Sequence, residues 1–154
     1  MAKLAPGDTA PDFTLHTETG DVAHLADAVK NGPVVLVFYP MDNTPGCTAQ
    51  LCAVRDAASE YAAAAVTVWG VNNGNAQSHQ GFIAKHGFSA PLLVDSDFEV
   101  AKSYDAVLGL GPLRFVNRTV VGVGRDGKIV YYKRGSPSTE EILAAVGASS
   151  AQGA

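Results

Sequence analysis

The chain has two thiols among its 154 residues, Cys47 and Cys52, and they lie close together in the stretch NTPGCTAQLC. A cysteine sulfur, once ionised, serves as a nucleophile, a metal ligand or a redox partner. The residues before Cys47 bear on which. With Thr44 as N-cap, Pro45 falls at the first helical position, Gly46 at the second and Cys47 at the third. Proline loses nothing there, because that amide has no intrahelical partner. The threonine hydroxyl is expected to accept from first-turn amides. Free N–H groups and the helix dipole favour an anion at this point, so a thiolate at Cys47 is favoured.

Cys52 lies five residues on. Along an intact helix that is a rise of about 7.5 Å and a rotation of about 140°, which separates the Cα atoms by about 8–9 Å. A disulfide reaches about 7 Å at most. The two thiols can bond only if the helix opens by a turn, so the spacing suits a transient bridge and disfavours a permanent one. On spacing alone, Cys52 is equally well explained as core packing. Neither Cys-x-x-Cys nor a zinc-type ligand register is present, so a thioredoxin-type reductase and a metal site are both disfavoured. No metal and no other cofactor is expected. His79 is expected to face solvent, and His86 to sit at a helix end. His16 and His24 flank a turn and carry no motif.

These residues need a frame. PVVLVFYP, just upstream, is a continuous β-branched and aromatic run bounded by prolines, the pattern of a buried central strand. The reactive cysteine then sits where that strand ends, on the edge where α/β sites tend to form. Residues 44–64 read as one helix. VTVWGVN and APLLVD read as further strands, and AQSHQGFIAKHG as a helix ending at Gly87. SDFEVAKSYD reads as a short helix capped by Ser96 or Asp97. FTLHTETGDVAHLADA reads as two short strands and a helical turn. RTVVGVGRDGKIVYYKRG is a hairpin around Asp-Gly, and SPSTEEILAAVG a last helix capped by Ser138 or Thr139. Alternating elements followed by a hairpin and a helix predict a three-layer α/β domain of the thioredoxin-like fold, with a central mixed sheet flanked by helices. A flavodoxin-like order would need another parallel unit in place of the hairpin. One domain over 1–147 is expected, with 148–154 as a flexible tail.

Composition narrows the function. Apolar residues make up 47% and charged residues 17% of the chain, and the net charge is −4. No basic block offers a nucleic-acid footprint. No apolar run suits a signal peptide or a membrane span. A cytoplasmic protein with reduced thiols is expected.

The segment YPMDNTPGCTAQLCAVRD resembles the active-site segment of peroxiredoxins, in particular the bacterioferritin-comigratory-protein (peroxiredoxin Q) class. Its core pattern, Pro-x₃-Thr-x₂-Cys, falls on Pro40, Thr44 and Cys47. GDTAPDFTL, KHG, PLLVDSD and RTVVGVGRDGKIV match in order, so the resemblance runs from about residue 4 to 146. It implies a thiol peroxidase acting on hydroperoxides, with Cys47 as the peroxidatic and Cys52 as the resolving cysteine. It also implies that Thr44 orients the peroxide, Arg118 sits over the thiolate and Pro40 shields the pocket. Recycling by thioredoxin or a similar dithiol is implied, with a monomer expected and a weak homodimer as the alternative. A disulfide reductase and a non-catalytic redox sensor are the rival readings. The sequence departs from the family pattern at Met41, where lysine is common, at Gln50, where glutamate is common, and in NNGNAQSHQGF. The apolar segment 106–116 reads as a loop folded onto the core, with a hydrophobic rim for bulkier organic hydroperoxides or a subunit contact as the alternative.

Overall fold

The structure is a computed structural model and describes residues 4–109 and 111–152. In chain order the elements are β1 (Thr14–Thr17), β2 (Val22–His24), α1 (Leu25–Ala28), β3 (Val34–Phe38), α2 (Pro45–Asp56), α3 (Ala58–Ala63), β4 (Thr67–Asn72), α4 (Ala76–His86) and β5 (Leu92–Val94). They continue with α5 (Glu99–Ser103), β6 (Val107–Leu108), β7 (Phe115–Val116), β8 (Thr119–Val123), β9 (Ile129–Arg134) and α6 (Thr139–Gln152).

Every residue of β3 is buried, which is why it reads as an unbroken apolar run. The strand lies near the middle of a seven-stranded sheet of order β2-β1-β5-β4-β3-β8-β9. It runs parallel to β4 and antiparallel to β8, and β4 runs parallel to β5. β1 and β2 are added antiparallel at one edge, and β9 closes the other. This is the expected mixed sheet, with β3, β4 and β5 parallel, the antiparallel pair β1–β2 before them in the chain and the β8–β9 hairpin after them.

Alternation along β3 sorts side chains into two cores. Val34, Leu36 and Phe38 join Phe13, Trp69, Phe98 and Tyr104 on one face, with residues of α1 and α5. Val35, Val37 and Tyr39 join Cys47, Leu51, Val54, Tyr61, Phe82 and Val146 on the other, the face covered by α2, α3, α4 and α6. Two apolar faces, each covered by helices, give the three layers.

Four expectations change. The helix over 44–64 is two helices, broken at Ala57, where φ is −98° and ψ is 12°. No glycine or proline marks the break, so the sequence carries no signal for it. α5 is not capped by Ser96 or Asp97. Phe98 takes the cap position at φ 59°, and the Asp95 carboxylate accepts from the amides of Val100 and Ala101 at 3.2 and 2.9 Å. The segment 106–116 does not simply fold onto the core. Ala106 and Val116 are buried, but β6 and β7 form a separate two-stranded ribbon that leaves Leu108, Leu113 and Phe115 exposed. His79, expected in solvent, is completely buried. It shares a helix face with Phe82 and has polar partners inside. By contrast Gly87 ends α4 in the left-handed region, and Ser138 Oγ accepts from the Glu141 amide at the start of α6, both as read from sequence. α6 takes in residues 148–152 of the expected tail, and 153–154 lie outside the described residues.

Candidate active site

β3 delivers the chain through Tyr39 and Pro40 to a tight turn and then to α2. Thr44 has extended dihedrals at the N-cap, and Pro45 opens the helix. Cys47 is therefore in the first turn, as its neighbours dictate, and it is fully buried. The threonine hydroxyl does not cap the helix. It donates to the Met41 carbonyl at 2.8 Å, and no side chain caps α2. The first-turn amides thus keep their capacity to bind an incoming anion or oxygen atom.

Arg118 comes from the other side of β3. Phe38 pairs with Thr119 on β8, so the residue before β8 lies beside the end of β3, next to the start of α2. Its Nη2 donates to Cys47 Sγ at 3.2 Å, and its Nη1 donates to Gln50 Oε1 at 2.7 Å. The fork thus spans the thiol and a side chain one helical turn further on. Its backbone is fixed as well, since Gly135 N donates to Arg118 O at 2.9 Å. Gly46 makes room for the guanidinium: a Cβ there would lie 3.1 Å from Arg118 Nη2. Gln50 is buried and serves as the arginine's neutral anchor. The departure from glutamate at this position keeps the hydrogen bond and removes a negative charge beside the sulfur.

Cys52 is half-buried against the same core, and both cysteines are free thiols. α2 is continuous across them, so the helical separation worked out from spacing applies. Leu51, 1% exposed, anchors this part of α2 to the sheet. The hydrogen bonds of Arg55 go elsewhere than to the thiols. Arg55 pairs with Asp56 and donates to the His86 carbonyl at 2.7 Å.

Arg118 thus meets Cys47 directly, Thr44 stands at the N-cap of the helix that carries both cysteines, and Pro40 lies in the turn that leads into it. A group of residues that sequence reasoning missed lies behind them. Tyr39 Oη donates to Asp42 Oδ1 at 2.6 Å. Asp42 Oδ2 lies 2.7 Å from His79 Nδ1 and accepts from Ser78 Oγ at 2.7 Å. Asn72 Nδ2 donates to the carbonyls of Tyr39 and Pro40, both at 2.8 Å. Burial alone would raise the Asp42 carboxyl, but hydrogen bonds from His79, Tyr39 and Ser78 outweigh it and hold the group below the usual range. Burial, reinforced by the Asp42 charge, holds the Tyr39 phenol well above its ordinary value. A usable signal was present: His79 lies three residues before Phe82, on the apolar face of α4. Among the described residues no group of three or more His, Cys, Asp or Glu side chains is arranged to hold a metal ion, and no helix is long and apolar enough to cross a membrane.

Comparison with known proteins agrees with this geometry. Residues 6–132 match the AhpC/TSA family. The putative peroxiredoxin bcp of Coxiella burnetii is 39% identical over 102 residues, which is 66% of this chain and 67% of that protein. The crystal structure of the peroxidoxin BcpB from Mycobacterium tuberculosis superposes with a TM-score of 0.87 at 32% identity, covering 94% of this chain and 97% of that one. A cysteine-to-serine variant of PrxQ from Xylella fastidiosa gives a TM-score of 0.84 at 26% identity, with all of both chains covered. A thiol buried under an arginine at a helix start, on a fold shared end to end with these proteins, has one reading: the chain belongs to the AhpC/TSA family of peroxiredoxins, enzymes that reduce peroxides through a cysteine thiol.

Proposed function

We propose that the protein reduces hydrogen peroxide and organic hydroperoxides through Cys47, resolves the product with Cys52, and is recycled by thioredoxin or a similar dithiol. The observation that carries this reading is the Arg118 fork, which bridges the buried Cys47 sulfur and Gln50 at the start of α2. A thiolate attacks the near oxygen of the hydroperoxide, the O–O bond breaks, and negative charge develops on the departing oxygen. The fixed guanidinium and the uncapped first-turn amides meet that charge without reorganisation. Thr44 and Pro40 orient the peroxide and close the pocket. The leaving alkoxide or hydroxide takes a proton and departs as alcohol or water, and Cys47 is left as sulfenic acid.

The second step joins Cys47 to Cys52. The sulfenic oxygen leaves as water and one S–S bond forms. The intact helix keeps the sulfurs apart, so the first turns of α2 unwind before this step. An external dithiol then exchanges with the bridge, restoring both thiols and leaving oxidised itself. The reading includes a monomer, in which resolution needs no second chain, and a reducing, cytoplasmic setting in which both thiols stay free.

The test is peroxide-dependent NADPH consumption in the presence of thioredoxin and its reductase. Wild type is expected to turn over, Cys47→Ser to be inactive, and Cys52→Ser to react once and stall. Equal turnover by wild type and Cys47→Ser would refute the reading. Insulin reduction without peroxide consumption would support a disulfide reductase instead. Stoichiometric oxidation without turnover would support a redox sensor.

A further inference from the structure

The group behind the active site holds one buried charge pair outside the thiol chemistry. Both ring nitrogens of His79 face acceptors. Nδ1 lies 2.7 Å from an Asp42 carboxylate oxygen, and Nε2 lies 3.1 Å from the Leu93 carbonyl. A carbonyl only accepts, and so does an ionised carboxylate, so the geometry suits donation from both ring nitrogens. The side chains of His79 and Asp42 are 0% and 4% exposed. Asp42 is fully engaged, with Tyr39 Oη, Ser78 Oγ and His79 Nδ1 all donating to it. The ion pair is thus buried with its hydrogen-bonding capacity used, the condition under which such a pair holds one geometry.

Its place in the chain gives it a role. Asp42 lies between Pro40 and Thr44, in a turn whose next residue, Asn43, has φ 64°. The Thr44 hydroxyl donates to the carbonyl of Met41, the residue before Asp42. The turn is fastened at two points, by Asn72 to the end of β4 and by Ser78 and His79 to the first turn of α4. Gly74 completes the fit. A Cβ there would come within 3.0 Å of Asn72 Oδ1 and 3.2 Å of His79 Cε1. This accounts for part of NNGNAQSH, the stretch that departs from the family pattern.

We propose that Asp42 and His79 are positioning residues for the peroxide step: their buried ion pair latches residues 39–44 to α4 and so sets Pro40 and Thr44 over Cys47. This rests on the assignment of Cys47 as the peroxide-reactive thiol. The latch ends before α2 begins, so it fixes the pocket while leaving the Cys47-to-Cys52 segment free to unwind. It therefore governs oxidation of Cys47 and has no hold on disulfide formation. A group that only supported the fold would affect both steps.

The experiment follows the two steps separately by rapid-quench mass spectrometry with hydrogen peroxide as the probe. Asp42→Asn, His79→Gln and the double variant are compared with wild type. The account expects Cys47 oxidation to slow at least about fivefold in each single variant, because a displacement of about 1 Å in a reacting array costs up to about a hundredfold. The rate of disulfide formation stays at the wild-type value. The double variant is no slower than the slower single one, because the two residues act as a unit. Slowing of less than fivefold, equal slowing of both steps, or multiplicative effects in the double variant would overturn the latch. A second measurement needs only wild type and so survives a variant that fails to fold: nitrogen NMR of the His79 ring. Two protonated ring nitrogens in the folded protein at neutral pH are expected, and one would overturn the proposal. If wild-type Cys47 were not oxidised at all, the peroxidase reading would fail while the ring measurement still judged the ion pair.

Discussion

At the scale of single residues, the site depends on how one guanidinium is held. Arg118 makes two directed contacts, to Cys47 Sγ and Gln50 Oε1, and a lysine has no fork to make both. Arg118→Lys should lower the rate constant of Cys47 oxidation by about a hundredfold, the usual cost of losing one aimed donor. Single-turnover kinetics with excess peroxide would show it, with disulfide formation unaffected. Gly46→Ala is a finer probe. Its methyl group would meet Arg118 Nη2 at 3.1 Å and displace the fork, while an alanine suits the helix better than glycine. We expect slower oxidation, about threefold to tenfold by the same donor argument, and unchanged or slightly higher thermal stability. The first-turn place of Cys47 was legible because proline placement at a helix start is a local rule, whereas the Thr44 hydroxyl, expected to cap the helix, turns to the Met41 carbonyl. Arg118 was legible only through resemblance, since 71 residues separate it from the thiol. The pairing of Asp42 with His79 was not legible at all. It depends on how α4 packs on the turn after β3; only the place of His79 on the apolar face of α4, three residues before Phe82, marked it as buried.

At the scale of elements, the proposed cycle sets α2 two opposed needs. It has to be formed for the amides and Arg118 to surround the thiol, and it has to open for Cys52 to reach it. Leu51 lies inside the segment that opens and is 1% exposed. Lifting it out of the core costs about 2–3 kcal/mol, so its burial sets part of the barrier to resolution. Leu51→Ala should lower the stability of the reduced protein by about 2–5 kcal/mol. It should also speed disulfide formation by about tenfold, the rate equivalent of about 1.4 kcal/mol. Denaturant titration and rapid-quench mass spectrometry measure the two effects. The sequence placed this helix start because Thr-Pro-Gly marks it. It missed the break at Ala57 because the residues after it, Ala58, Ser59 and Glu60, include no glycine or proline. The ribbon β6–β7 was missed for a related reason. Its apolar residues suggested burial, but two of the exposed ones, Leu108 and Phe115, pair across the ribbon and away from the core.

At the scale of the whole molecule, the reactive thiol and the buried ion pair share one face of the sheet, the one covered by α2 and α4. The mixed sheet was legible from the order of elements, because a buried apolar strand, alternating helices and a terminal hairpin leave few topologies open. The ion pair gives the molecule a pH signature. Asp42 is held below its unfolded value of about 3.9, so its contribution is present above about pH 4 and is lost as pH falls further. Asp95 acts in the opposite sense. Burial outweighs the amides of Ala101 and Val100 and raises it, so its protonation on acidification favours the folded state. Comparing wild type with Asp42→Asn isolates the first effect: wild type should lose more stability between pH 5 and its acid unfolding point. Equal slopes in acid would remove Asp42 from the account. The central claim is that peroxide entering this fold is converted into a bridge between Cys47 and Cys52 of one chain. The most direct test is peptide mapping of protein oxidised with one equivalent of hydrogen peroxide. The account predicts a single intramolecular Cys47–Cys52 disulfide and no dimer, and overoxidised Cys47 beside a free Cys52, or a bridge between chains, would contradict it.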